Sequence, residues 1–299
     1  MSRSIIFGAN GYLGRHLVNA LMSRGHEVVG IGIESEPFEK CSKYISMDAT
    51  NSAEVSSLDL TSDYIFAFAG LTGTHAGFDQ YDKFLKLNDV ILLNILNSAR
   101  KTGNSGRVVF PSTRLVYKGV KDKFLSEGAE KEAKTVYAQN KLSCEAYLGM
   151  YANSFGIDFT VFRICVPYGN SLGAEYSYGT VGFFLNKASS GKNITLYGDG
   201  SQRRTFTHVS DLTNLIILGL GNHDSINQVY NIGSNDALSL FDAASIIAKN
   251  FGVDVEFTQW PEEDLRLESG DTILDDKKIL NLSHYIYEHS FENWVKTLS

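Results

Sequence analysis

Short apolar runs alternate with amphipathic stretches through the first half of the chain. Ile5–Phe7 reads as a strand; Leu17, Val18, Leu21 and Met22 then recur at helical spacing, with Gly25 as the stop. Further strand-like runs fall at Glu27–Ile31, Tyr44–Met47, Tyr64–Ala69, Arg107–Phe110 and Asp158–Ile164. Helical patterns lie between them at about Tyr81–Lys101 and Thr135–Phe155, the second closed by Gly156. Strands alternating with helices predict an α/β fold, a parallel sheet covered on both faces. Right-handed crossovers then make that sheet doubly wound, as in a Rossmann fold.

After Arg163 the pattern loses its regularity, and Pro167 to Gly200 is rich in glycine, tyrosine and serine. A helix at Leu212–Leu220 and a strand at Val229–Ile232 suggest a return to the main sheet. The expected division is therefore residues 1–167 plus 206–237 as a dinucleotide-binding domain. Residues 168–205 and 238–299 form a smaller α+β lobe.

Composition changes little in this picture. A chain of 299 residues with 43% hydrophobic and 20% charged residues can bury a substantial core as one large domain or two small ones. The net charge of −7 offers no broad basic surface, so nucleic acid is not an expected partner, although a local basic pocket for a phosphate remains open. Cys41, Cys144 and Cys165 show no metal-ligand spacing and read as buried thiols of a reducing compartment, with no metal site. No apolar run approaches the ~18 residues a bilayer span needs. The longest, Leu212–Leu220, is interrupted by Asn214 and Gly219. The expectation is a cytoplasmic enzyme without membrane contact.

Chemistry enters with the glycines. Gly8, Gly11 and Gly14, in Gly8-Ala9-Asn10-Gly11-Tyr12-Leu13-Gly14, follow the first strand directly and open the first helix. The first permits a tight turn, the second lets backbone approach a pyrophosphate, and the third lets helix pack on strand. In that context the loop predicts a dinucleotide. An acid some twenty residues on would grip the adenosine ribose of NAD. Gly32 stands where it is expected, and Glu34, two residues later, can reach back. Arg15 can pair with a 2′-phosphate. A missing carboxylate removes repulsion against that phosphate, so NADP is expected slightly ahead of NAD.

Tyr137 and Lys141 lie four apart on one helical face. A phenol is a poor acid or base at neutral pH, and a neighbouring ammonium stabilises its phenolate. Such a spacing is common by itself and gains meaning from partners. Ser112-Thr113 ends the strand that starts at Arg107, at the sheet edge where doubly wound folds bind ligands. A hydroxyl there can bond the reacting oxygen of a substrate while hydride moves to or from nicotinamide.

Together these motifs resemble the extended short-chain dehydrogenase/reductase family, in its nucleotide-sugar epimerase and dehydratase branch, from about Ile5 to the end. Phe68-Ala69-Gly70-Leu71 resembles the family's cofactor-contacting segment after the fourth strand. Asn88 matches its usual asparagine, and Asp48 the residue that meets adenine. Phe110-Pro111-Ser112-Thr113-Arg114-Leu115-Val116-Tyr117 resembles the family's catalytic segment, which makes Thr113 the catalytic hydroxyl beside Tyr137 and Lys141. The resemblance implies cofactor contacts from Gly8, Asn10, Gly11, Tyr12, Leu13, Gly14, Arg15, Asp48, Ala69, Gly70, Tyr137 and Lys141.

The run from Tyr197-Gly198-Asp199-Gly200 to Val209 resembles a signature whose second arginine, Arg204 here, binds a nucleotide-sugar diphosphate. Arg266 resembles the second diphosphate arginine, and the resemblance adds Tyr168 and Thr113 to the substrate contacts. Arginine suits that role, since its planar fork binds phosphate bidentately. His208 is expected to pack or make a structural hydrogen bond. Dimers of the family use two helices from each subunit; Tyr147, Leu148 and Tyr151 can contribute here, or pack internally.

Three departures from the family carry weight. Arg114-Leu115 replaces the Asp-Glu pair that 4,6-dehydratases use to eliminate water. Val166 replaces a usual asparagine, and Gly32 the ribose-binding acid. The resemblance then implies reduction of a nucleotide-linked 4-keto-6-deoxyhexose at carbon 4. The alternative is a 4-epimerase with tightly held NAD. A nucleotide-sensing binding protein is a third reading, and the intact tyrosine–lysine pair stands against it.

Overall fold

The computed structural model describes residues 2–103, 106–170, 172 and 179–298. Seven parallel strands build the main sheet. Their order across it is Gln228–Ile232, Phe159–Ile164, Arg107–Thr113, Tyr64–Ala67, Arg3–Phe7, Glu27–Gly32 and Lys43–Ser46. The inner strands are largely apolar because both faces are covered, whereas the edge strand Lys43–Ser46 is partly exposed. On one face Ile5, Phe7, Ile65, Val108 and Phe110 pack against Ile95, Leu96 and Leu148. On the other, Ile6, Phe66, Val109 and Phe162 meet Leu17, Leu21, Leu212 and Ile216.

The chain winds outward from Arg3–Phe7 to Lys43–Ser46, then crosses back to Tyr64–Ala67 on the opposite side of the first strand. Strand order therefore reverses between Arg3–Phe7 and Tyr64–Ala67. The crevice beyond the carboxyl ends of those two strands is where such sheets bind ligands.

Several expected elements change in detail. The helix anticipated over Tyr81–Lys101 is three consecutive pieces: Tyr81–Phe84, a wide π-helical stretch Leu85–Val90, and Ile91–Thr102. The wide turn places Asn88 and Asp89, both polar, in a buried position. The strand starting at Arg107 continues to Thr113. The strand Gln228–Ile232 does return to the main sheet beside Phe159–Ile164.

The boundary expected between 205 and 206 falls inside the strand Arg203–His208. That strand pairs with Asp236–Ser239 and Val166–Tyr168 in a separate three-stranded sheet. Phe124–Leu125, from the first half, pairs with Ile273–Leu274 near the end. Strands this short leave too few residues for an alternating pattern. A third core, including Val116, Tyr117, Tyr168, Phe184, Phe206 and Ala243, lies under this part of the molecule. Among the described residues, no helix is long and apolar enough to cross a membrane.

Candidate active site

The glycine loop is tightly constrained. A Cβ on Gly14 would lie 2.0 Å from the Gly8 carbonyl oxygen, and one on Gly8 would lie 2.6 Å from the Ala69 nitrogen. Gly8 also has φ +84°, a conformation that disfavours side chains. The helix Tyr12–Ser23 has Gly11 at its N-cap and no side-chain cap. Its first N–H groups thus point at the crevice without a side-chain acceptor, the usual cradle for a phosphate.

That crevice is a cavity of about 520 Å³, within the size range of small-molecule sites. It is lined by Gly11 to Gly14, by Phe68 to Thr74, and by Pro111 to Leu115 with Tyr137 and Lys141. Ile164 to Pro167, Gly179 and Thr180 complete it. Four of the expected cofactor contacts, Gly8, Asn10, Arg15 and Asp48, lie outside this lining. Gly8 holds the loop from beneath.

Thr113 ends its strand, and its Oγ1 accepts a hydrogen bond from the Leu115 N–H at 3.3 Å. Ser112 is committed elsewhere: its Oγ donates to Glu145 Oε1 at 2.5 Å. That carboxylate is also gripped by Arg163, at 2.9 and 2.5 Å. Of the two hydroxyls at this sheet edge, Thr113 is therefore the one left for a substrate.

Tyr137 stands at the start of the helix Val136–Phe155, whose N-cap, Thr135, accepts from the Ala138 N–H at 3.1 Å. One turn on, the Lys141 Nζ donates to the Pro111 carbonyl at 2.8 Å and lies 5.7 Å from the Tyr137 ring centre. Burial pushes the Lys141 ammonium down to about 8, against the opposing pull of Cys144, Glu145 and Asp89.

Sequence reasoning did not single out Asp89. It is 5% exposed, its Oδ2 has no hydrogen-bond partner, and burial raises its carboxyl to about 6 despite Asn140 and Lys141 nearby. The available signal was a carboxylate within an otherwise apolar helical run. Beside it, Asn88 Oδ1 accepts from the Leu71 N–H at 3.0 Å, and it lies 2.4 Å from where a Cβ on Gly70 would be. Asn88 thereby fixes the segment behind the cavity, which requires glycine at position 70.

At the far end of the second strand, the space over Gly32 is filled. A Cβ there would lie 2.5 Å from the Tyr44 hydroxyl and 3.0 Å from Glu34 Oε2. Asn10 Nδ2 donates to both, at 3.1 Å to Glu34 and 3.2 Å to Tyr44. A carboxylate is thus present at the strand end, brought back from two residues later. Arg15 is paired with Glu39 at 2.8 Å and lies over the Phe38 ring at 5.6 Å. Asp48 is exposed at the same sheet edge, where hydrogen bonds to Thr50 hold its carboxyl below the ordinary value.

The expected substrate residues of the lobe are placed differently. The Tyr168 ring is fully buried against His208, Phe291 and Trp294, because the strand Val166–Tyr168 turns it into the third core. Arg204 is 1% exposed, held by Glu268 and the carbonyls of Arg203 and Gly270. Arg266 is 70% exposed and pairs with Glu262 one turn away. None of the three lines the cavity, whereas Arg114 does. Tyr147 and Tyr151 pack, partly buried, on the main-sheet core with the buried Leu148.

A strand–glycine-loop–helix unit, a strand-end threonine and a buried lysine beneath a helical tyrosine, all on one cavity, define a dinucleotide-dependent enzyme of short-chain dehydrogenase/reductase type. Residues 4–233 match the NAD dependent epimerase/dehydratase family, and the chain belongs to that family, in its nucleotide-sugar branch.

Among curated relatives, an uncharacterized UDP-glucose epimerase of Bacillus subtilis (strain 168) is 27% identical over 94% of this chain and 92% of its own length. A UDP-N-acetyl-alpha-D-glucosaminuronate decarboxylase of Bacillus cytotoxicus is 30% identical over 82% of this chain and 79% of its own. The fold matches a UDP-glucuronic acid 4-epimerase from Bacillus cereus, solved with UDP-glucuronic acid and NAD. Its TM-score is 0.85, with 22% identity over 98% of this chain and 96% of that one.

Proposed function

We propose that the protein oxidises and re-reduces carbon 4 of a nucleotide-activated sugar with retained NAD, as a 4-epimerase. The observation that carries the reading is Thr113, Tyr137 and Lys141 lining one cavity with the glycine loop. NAD, when bound, supplies the hydride acceptor and donor. Tyr137 takes the proton of the sugar hydroxyl and later returns it. The Lys141 ammonium stabilises the phenolate, which lowers the cost of that transfer. Among the described residues, Thr113 Oγ1 only accepts, from Leu115, so its own proton is available to the sugar oxygen.

Gly8, Gly11, Gly14, Tyr12 and Leu13 would cradle the pyrophosphate; Ala69 and Gly70 back the cavity. Asn10 and Glu34 stand where the adenosine ribose would lie, and Asp48 near adenine. The preference for NADP rested on Gly32 and Arg15. Glu34 supplies a carboxylate that repels a 2′-phosphate, and Glu39 already offsets Arg15, so NAD is favoured. Arg114 and Leu115 provide no acid–base pair for elimination, which argues against dehydration. Reduction of a 4-keto sugar would use the same three residues and is the second reading, favoured by that same absence.

The deciding experiment incubates purified protein with UDP-glucose and with UDP-glucuronic acid, without added cofactor, and follows carbon-4 epimers by NMR. Epimers should accumulate, and Tyr137→Phe should lower kcat at least about 100-fold. Turnover of a 4-keto sugar only with stoichiometric added NADH or NADPH would overturn the epimerase in favour of the reductase. An unaltered rate in Tyr137→Phe would overturn the catalytic assignment, and absence of turnover on any of these sugars, with or without added cofactor, would restore the nucleotide-sensing reading.

A further inference from the structure

Arg114 is the first residue after the strand that delivers Thr113, and it lines the cavity. Its Nη1 donates to two neutral hydroxyls, Ser269 Oγ at 3.1 Å and Thr272 Oγ1 at 3.2 Å. Among the described residues no carboxylate pairs with it. Its Nε and Nη2 make no hydrogen bond there, and the residue is half-buried. The neighbouring carboxylate, Glu268, is engaged by Arg204 and by the Gly270 N–H at 2.9 Å. Glu268 is thus committed to Arg204, and Arg114 keeps a positive charge without a hydrogen-bonded carboxylate in the cavity lining.

A partly desolvated guanidinium without an anion carries an uncompensated penalty. Nearby Arg204 adds repulsion, and burial with that repulsion pushes Arg114 down to about 10. An anionic ligand removes the penalty. The guanidinium fork fits a carboxylate with two parallel hydrogen bonds.

We propose that Arg114 receives a carboxylate carried by the sugar itself, so that the substrate class is a nucleotide-activated hexuronate. The inference rests on the carbon-4 reading above. The substrate's diphosphate is the competing anion, and position decides between them. Arg114 adjoins Thr113 in the chain, and it lies near enough to Tyr137 for the two to interact electrostatically. In a pyranose, carbon 5 with its carboxylate is next to carbon 4, whereas the diphosphate leaves from carbon 1 across the ring. An anion beside the residues that meet the carbon-4 oxygen is therefore the carboxylate. A 6-deoxy sugar would set a methyl group against the same cation.

The test compares UDP-glucuronic acid with UDP-glucose, which differ only in carboxylate against hydroxymethyl. Binding is measured by calorimetry on Tyr137→Phe protein, so that it does not depend on turnover, and kcat/KM is measured on the active enzyme. The uronate should be preferred by roughly 30-fold or more, the scale of hydrogen bonds to a charged group. Arg114→Gln should collapse that ratio toward one. Arg114→Lys, which keeps the charge but loses the fork, should give an intermediate ratio and carries the comparison if the glutamine variant does not fold.

A wild-type ratio near or below one overturns the proposal, as does a high ratio that neither substitution changes. If binding shows the uronate preference but no epimer forms, the carbon-4 reading fails while the Arg114 assignment survives.

Discussion

Asp89 and Lys141, one carboxylate and one ammonium, are both buried and close enough for each to feel the other's charge. Each is held away from its charged form by burial. For Asp89 the folded protein binds its proton more tightly than the unfolded chain between pH 3.8 and about 6. Stability from this group therefore falls as pH rises through that window, and the full cost is present above it. Asp89→Asn should raise the denaturant midpoint at pH 8, by up to about 3 kcal/mol of unfolding free energy. The gain should shrink at pH 4.5; an equal gain at both would refute the burial argument. Nothing in the residue order announces this pair, because burial of a carboxylate depends on what packs over it.

The helix Val136–Phe155 is the element on which the proposed chemistry rests. It was readable because its ends are marked locally: Thr135 caps one, and Gly156, at φ +66°, closes the other. Its first two turns hold both Tyr137 and Lys141, so the cap bears directly on the site. Thr135→Ala should cost about 1 kcal/mol of stability and fray the turn beneath the phenol. In steady-state kinetics kcat should fall more than KM rises; a change confined to KM would show that the cap does not position Tyr137. The preceding helical segment was read as one element because consecutive pieces along one path keep a helical hydrophobic period. Its π-helical stretch, which buries Asn88 and Asp89, leaves no separate mark in that period.

Over the whole molecule, the main sheet is joined to the second part around His208. This histidine caps the helix Val209–Leu220 through Nδ1, which accepts from the Ser210 N–H at 3.3 Å. It also stacks on His289 at 3.9 Å. Asp211 in turn accepts from His289, Tyr285 and backbone N–H groups. Burial, with His289 and His16 adding and Asp211 opposing, lowers His208 to about 4. The unfolded chain binds this proton more readily between pH 4 and 6.5, so the contribution is complete above 6.5 and is lost as pH falls toward 4. Thermal midpoints should drop across that range, and His208→Asn, which can keep a cap, should flatten the drop; an unchanged slope would place the loss elsewhere. By itself the sequence determined the doubly wound sheet, the glycine loop and the tyrosine–lysine helix, because periodicity, steric limits on glycine and helix caps act over a few neighbouring residues. Only the tertiary structure decided that Glu34 fills the space over Gly32, that Arg204 and Tyr168 are packed away, and that Arg114 joins the cavity lining with hydroxyls rather than a carboxylate as its partners. Those outcomes depend on burial and charge balance among segments far apart in the chain, which local patterns do not encode.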